Sequence, residues 1–128
     1  MFYYALALCE SGQYLNDRLP KLLDMMDNAQ DKDLSSAAYG NFKWNYSDSS
    51  TTDRNAADFC MSPGVYILTK HLDKFSNEDQ ARYKTIIDRA TTFCVNYHVS
   101  DIYTNIRIVN ASNLILLGEA LNRNDIAE

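Results

Sequence analysis

The stretch from Ser76 to Tyr97, SNEDQARYKTIIDRATTFCVNY, predicts a long amphipathic helix. Ser76 is a preferred N-cap residue, and Asp79 places a carboxylate in the first turn, where the helix dipole favours negative charge. After this start, six apolar residues recur at the spacing of one helix face: Tyr83, Ile86, Ile87, Ala90, Phe93 and Cys94. A helix with such a face packs against other elements, so the segment indicates a helical core.

Helical periodicity also surrounds this segment. Further helices are expected over residues 2–10, 17–29 and 104–121, with another from Asp53 onward and the start of a last one at Asp125. With only 4 Gly and 2 Pro, the chain is poor in the residues that a turn-rich β fold requires. The expected fold is all-α: antiparallel helical hairpins, five helices and a stub, in one domain over residues 1–128.

Four positions refine these helices. Pro20 lies within the apolar stripe formed by Leu15, Leu19, Leu22, Leu23 and Met26, and is expected in the first turn of the second helix. Asp53 is a candidate cap for the third helix, and Phe59 is a candidate core residue. Pro63, between Ser62 and Gly64, predicts a kink or a fresh helix start.

The composition indicates a globular domain and argues against two classes of partner, nucleic acids and membranes. The chain has 128 residues, of which 46% are hydrophobic and 23% charged, as expected for a single globular domain. Its net charge of −5 argues against a nucleic-acid partner, which is usually bound by clustered Lys and Arg. An apolar stretch approaching the roughly 20 residues of a membrane span is absent, so we expect no membrane partner.

The three cysteines indicate buried thiols rather than a site. Cys9, Cys60 and Cys94 are far apart and form neither a C-x-x-C pair nor a cluster with histidine. We therefore expect reduced thiols and neither a metal nor a cofactor. Unpaired cysteines, together with a start that lacks the basic segment of a signal peptide, slightly favour the cytoplasm.

Residues 30–54 form a long segment of turn-forming residues that contains four aromatic residues: Tyr39, Phe42, Trp44 and Tyr46. Loops of this length are usually functional or disordered, and the aromatic content argues against disorder. Trp44 and Tyr46 are candidate platforms for sugar rings, because aromatic faces pack on the C–H faces of sugars. In the alternative interpretation, the aromatic residues only pin the loop and Asp53 only caps a helix.

Polar residues next to this loop are the candidate hydroxyl-binding or acid–base groups. Asp53, Asn55 and Asp58 follow it directly. On one helix Asp53 and Asp58 would lie about 140° apart, which makes them a doubtful pair. Tyr103 and Asn105 are candidate secondary lining residues where a later helix begins. The candidate catalytic residues are thus Asp53, Asp58 and Tyr103, and the candidate substrate-binding residues are Trp44, Tyr46, Asn55 and Asn105.

The segment that leads to Tyr103 has a structural alternative. His98 could simply end the preceding helix near its negative pole, and Asp101 or Thr104 could cap the next helix. Tyr103 would then only pack against its neighbours.

Four segments together resemble a known type of protein: YGNFKW at 39–44, TDRNAADF at 52–59, YTNI at 103–106 and LLGEAL at 116–121. They are similar to (α/α) toroid proteins related in architecture to heparinase- and alginate-lyase-type polysaccharide lyases and to toroidal glycoside hydrolases. Where the pattern of those proteins carries Glu, this chain carries Asp58, which is one methylene shorter. The resemblance implies a partial (α/α) toroid or helical array.

The resemblance also implies a function. A carbohydrate-active protein is expected, either a polysaccharide lyase or a glycoside hydrolase, with a saccharide as partner. The alternative is a non-enzymatic helical-repeat module that binds a protein or peptide in a groove. The apolar start at Phe2 and the helix begun at Asp125 favour a segment of a larger toroid. A homo-oligomer formed through exposed helix faces is a third expectation.

Overall fold

Five helices and a short sixth form the chain, as a computed structural model of residues 1–14 and 17–127 shows. Within these residues we observe no strand, only an isolated antiparallel bridge between Gln30 and Phe42. The prediction of an all-α fold is therefore confirmed. The helices are α1 (Phe2–Glu10), α2 (Arg18–Ala29), α3 (Ala56–Lys70), α4 (Asn77–Asn96), α5 (Thr104–Leu121) and α6 (Asn124–Ala127), with a 3₁₀ turn at Leu72–Lys74.

The helices pack in two rows. In one row α3 contacts both α1 and α5, and in the other α2 contacts α4. The rows are joined where α1 meets α2 and where α4 meets both α3 and α5. Helices next but one in the chain are thus neighbours within a row.

The apolar face of α4 lies at the centre of the core, as its sequence predicts. All six residues of that face are buried, and the Tyr83 hydroxyl, which is also buried, donates a 2.9 Å hydrogen bond to the carbonyl oxygen of Gly64 on α3. Ser76 caps the helix, because its hydroxyl oxygen accepts from the Asp79 backbone N–H at 3.1 Å. In α2, Leu19, Leu22, Leu23 and Met26 are buried, whereas Leu15 lies outside the described residues.

The third helix differs from its prediction. It begins at Ala56 rather than at Asp53, whose carboxylate instead accepts from the Asn55 backbone N–H at 2.8 Å in a local turn. It continues through Pro63 rather than starting afresh there, and a kink at this proline stays a prediction. Phe59 is 40% exposed, since Asp58 and Met61 take the inward positions.

Two further features concern the end of α3 and the surface of α5. The imidazole of His71, at the end of α3, is hydrogen-bonded to Glu10 Oε1 at 2.8 Å and to the Tyr14 hydroxyl at 3.1 Å, which ties α3 to the end of α1. On α5, Ile106 and Leu117 face inward. Several apolar side chains of α5 are exposed, namely Ile108, Ile115 and Leu116. Self-association through such a face stays a prediction.

Candidate functional site

The long loop, residues 30–55, is held against α4 along its first half. The Gln30 side-chain amide donates to the carbonyl oxygens of Gly40 at 2.9 Å and of Ile86 at 3.0 Å. Phe42 is completely buried, and its ring meets that of Phe2 edge-on at 5.2 Å. The interpretation that its own aromatic residues pin the loop therefore describes Phe42 well.

Asn41 connects this loop to the start of α3. Its buried side chain accepts from the Ala57 backbone N–H at 3.0 Å and donates to the Asp53 carbonyl oxygen at 2.9 Å. Asn41 thus performs, from a distant position in the chain, the capping that the sequence assigns to Asp53. Because both atoms of the amide are used, the end of the loop and the helix start form one unit.

A cleft of about 520 Å³ lies between this loop and the end of α4, and we call it the loop–α4 cleft. Tyr39 and Arg54 line it from the loop, and Phe93, Asn96 and Tyr97 line it from the other side. The Phe93 and Tyr97 rings stack at 5.3 Å, and the Arg54 guanidinium carbon lies 6.0 Å from the centre of the Tyr97 ring. The cleft therefore combines aromatic surface with a cation held over it.

The predicted binding residues do not all lie at this cleft. The Asn55 side-chain oxygen is 3.5 Å from the Tyr97 hydroxyl, which places Asn55 behind the cleft wall. Trp44, 54% exposed, packs edge-on against Phe59 at 5.7 Å and borders a separate groove of about 280 Å³. Tyr46 is also exposed, at 57%. Asn105 is exposed in the first turn of α5.

The predicted catalytic residues are dispersed. Asp53 is half-buried in its turn, Asp58 is completely buried on α3, and Tyr103 is 48% exposed next to α5. The N-terminus of α5 has no side-chain cap, and the Asp101 carboxylate instead accepts from the Arg107 guanidinium at 2.6 Å. Within the part of the chain that the structure describes, Asp53, Asp58 and Tyr103 line neither the groove beside Trp44 nor the cleft between the loop and α4.

Asp58 lies in a polar network that joins α3 to α5. Its Oδ1 accepts from the Asn110 amide at 2.9 Å, and its backbone carbonyl oxygen accepts from the Asn113 amide at 2.8 Å. Its Oδ2 has no hydrogen-bond partner among the described residues, although the Cys94 thiol lies beside the carboxyl. Burial raises the pKa of Asp58, and the Asn110 amide and the Cys94 thiol oppose this shift only in part.

A second cleft, of about 420 Å³, lies between the end of α4 and α5, in front of this network, and we call it the α4–α5 cleft. Cys94 and Asn110, the residues beside the Asp58 carboxyl, are part of its lining. Burial and the neighbouring Asp58 raise the pKa of the Cys94 thiol well above its ordinary value, which makes it a poor nucleophile.

Sequence reasoning missed several residues of these sites. Arg54 and Tyr97 line the loop–α4 cleft, and Asn41, Asn110 and Asn113 hold the polar network and the helix start. A signal was present for the asparagines on α5, because an amide at an inward position of an amphipathic helix is costly unless it has a partner. The partner of both asparagines, Asp58 on α3, is far away in sequence.

Comparison of the chain with protein-family models, curated proteins and solved structures gave no match. Within the described residues, His, Cys, Asp and Glu form no cluster of three or more that could hold a metal ion. In that same part of the chain, no helix has both the length and the apolar character needed to cross a membrane.

Proposed function

We propose that the chain binds a saccharide in the loop–α4 cleft and that its helices are part of an (α/α) toroid. The observation that carries the proposal is the combination of aromatic rings with Arg54 in one cleft of suitable size. Its volume of about 520 Å³ lies within the range of roughly 300–1,000 Å³ that is usual for small-molecule sites.

The residues of this cleft match the chemistry of a sugar. The half-buried Tyr39 and Tyr97 rings offer apolar surface for C–H faces. The Arg54 guanidinium offers several donors for hydroxyl or carboxylate oxygens, and its position over Tyr97 restricts its motion. The Asn96 amide nitrogen donates to the Thr92 carbonyl oxygen at 2.9 Å, which leaves its side-chain oxygen as an acceptor for a sugar hydroxyl.

The proposal concerns binding rather than bond cleavage. Glycoside hydrolysis commonly uses two carboxyl groups about 5–9.5 Å apart that flank the same bond. Neither Asp53 nor Asp58 is part of the lining of this cleft. A glycoside hydrolase would therefore need catalytic carboxyl groups from elsewhere.

The two rows of helices support the toroid part of the proposal. In such a protein, alternate helices of successive hairpins form an inner and an outer layer, and here α1, α3 and α5 form one row while α2 and α4 form the other. The exposed apolar residues of α5, such as Ile108 and Ile115, would be covered by further helices of the layer.

The test compares Arg54→Ala with Arg107→Ala, an arginine in the α4–α5 cleft. Saturation-transfer NMR against neutral and uronic-acid disaccharides identifies a ligand, and a titration gives its affinity. We expect Arg54→Ala and Tyr39→Ala to weaken binding about tenfold, as for lost hydrogen bonds to a charged group or lost ring contact. Arg107→Ala should bind like the wild type.

Two results would overturn this assignment. Absence of binding to the whole panel at millimolar concentration would exclude the proposed ligand class. Binding that Trp44→Ala abolishes while Arg54→Ala leaves it intact would move the site to the groove beside Trp44. Circular dichroism of each variant establishes that the helices are intact.

A further inference from the structure

The floor of the α4–α5 cleft, formed by Cys94 and Asn110 with the buried Asp58 carboxyl behind them, has more hydrogen-bond acceptors than donors. The Asn110 amide nitrogen donates both to Asp58 Oδ1 at 2.9 Å and to the Cys94 carbonyl oxygen at 3.3 Å. Asp58 Oδ2 adds a third acceptor, which makes no hydrogen bond to the described residues and has only the weakly donating Cys94 thiol beside the carboxyl. One carboxamide group thus serves two of these three acceptor atoms, and Asp58 Oδ2 is left over.

The charges around this floor are also unbalanced. The Asp58 carboxyl is completely buried and takes part in no ion pair with a described lysine or arginine. The Cys94 carbonyl belongs to the last turn of α4, which is the negative pole of that helix. Arg107, the cation of the lining, is bound to Asp101 at the rim, and His98 is the other basic residue there.

We propose that the α4–α5 cleft binds an organic ammonium group, which displaces the Asn110 carboxamide from Asp58. A primary ammonium carries three N–H donors, the same number as the acceptors formed by Asp58 Oδ1, Asp58 Oδ2 and the Cys94 carbonyl oxygen. In a buried setting such charge-assisted hydrogen bonds are stronger than those of a neutral amide.

The walls of the cleft define the rest of the ligand. Val95, Val99, Ala111 and Leu114 supply apolar surface above the floor. A hydrocarbon or aromatic body attached to the ammonium group would cover these side chains, while the ammonium group occupies the position of the Asn110 amide. Asn110 is half-buried and separates the cleft from the Asp58 carboxyl, so its side chain must rotate away when a ligand binds; we call it the plug. The site is separate from the saccharide cleft, and Tyr97 borders both.

The test is a titration of the ¹⁵N-labelled chain with benzylammonium, with neutral benzyl alcohol as the matched ligand. We expect benzylammonium to shift the amide signals of Val95 and Ala111 at concentrations where benzyl alcohol does not. Asp58→Asn should weaken binding about tenfold or more, because it removes the buried charge but keeps the shape. Asp101→Asn removes a carboxylate at the rim of the same cleft and should change affinity less than about threefold.

Asn110→Ala provides an independent measurement in case Asp58→Asn does not fold. It removes the plug and leaves Asp58 without its donor, so benzylammonium should bind this variant about fivefold more tightly than the wild type and raise its melting temperature more. Equal binding of benzyl alcohol, unchanged affinity in Asp58→Asn, or no gain in Asn110→Ala would each overturn the proposal. An effect of Asp101→Asn as large as that of Asp58→Asn would do so as well, since it would indicate attraction at the rim.

Discussion

Replacing Gly40 by alanine should destabilise the chain far more than the same replacement at Gly12. Both glycines have left-handed backbone conformations, with φ of +89° at Gly40 and +74° at Gly12. A β-carbon at Gly40 would lie 2.0 Å from the Arg89 carbonyl oxygen and 2.7 Å from the carbonyl carbon, whereas at Gly12 nothing lies within 4 Å. The pair therefore separates the backbone conformation, which both share, from the close approach of the loop to α4.

The magnitude follows from three contributions. A left-handed conformation costs alanine about 1–2 kcal/mol, and alanine restricts the unfolded chain, which returns about 0.4–1 kcal/mol. For Gly12→Ala these sum to a loss of about 1 kcal/mol. At Gly40 the clash with α4 backbone adds a cost of about 1–3 kcal/mol, as for an overpacked core. For Gly40→Ala we thus expect a loss of about 2–4 kcal/mol.

Urea unfolding monitored by far-UV circular dichroism measures both variants. The midpoint should fall clearly for Gly40→Ala at an unchanged slope, and slightly for Gly12→Ala. Losses in unfolding free energy that agree within about 0.5 kcal/mol would contradict this expectation, because the close approach to Arg89 would then not contribute to the difference. A change in slope for Gly40→Ala would instead indicate an altered denatured state.

Two further predictions concern buried polar side chains. Asn41→Ala removes the acceptor of the Ala57 N–H and the donor to the Asp53 carbonyl, so the free energy of unfolding in urea should fall by about 2–4 kcal/mol. The control Asn45→Ala changes an exposed side chain and should lower it by less than about 0.5 kcal/mol. Equal losses in the two variants would contradict the capping role of Asn41. The pKa of Asp58 is raised in the folded state, so the folded state holds the proton of this carboxyl more tightly than the unfolded state does. The contribution of Asp58 to stability is therefore greatest below the ordinary pKa of 3.8 and declines as pH rises through the raised pKa. The stability of Asp58→Asn relative to the wild type should therefore increase from pH 4 to pH 8 in urea unfolding, and a constant or falling difference would contradict the direction of the shift.

Much of the fold was predictable because the decisive signals are local. The cap at Ser76 and the apolar stripe from Tyr83 to Cys94 specify α4 within its own sequence, and the bounds of α1 and α5 follow from periodicity in the same way. Pro20 was placed correctly within the first turn of α2, since the spacing of the leucines continues after it.

The start of α3 could not be read in the same way. The sequence next to it offers Asp53 as a cap, yet the cap comes from Asn41 across the loop. The position of Phe59 fails for a related reason. Which of two neighbouring residues faces inward depends on the rotation of the helix, and the amides of Asn110 and Asn113 on α5 hold Asp58 inward. Tertiary partners far away in sequence override the local pattern in both cases.

The same distinction between local and distant partners bears on where a ligand binds. Buried polar side chains elsewhere in the described chain have partners, including Gln30, Asn41, Thr91 and Asn113, so their burial is explained by the fold itself. Asp58 Oδ2 is the exception within those residues. Stability alone would favour asparagine or an apolar residue at this position, because a carboxyl buried without a cation lowers stability. Positions where a sequence departs from what its fold requires are where function is expected, and in this chain that position lies directly behind an open cleft.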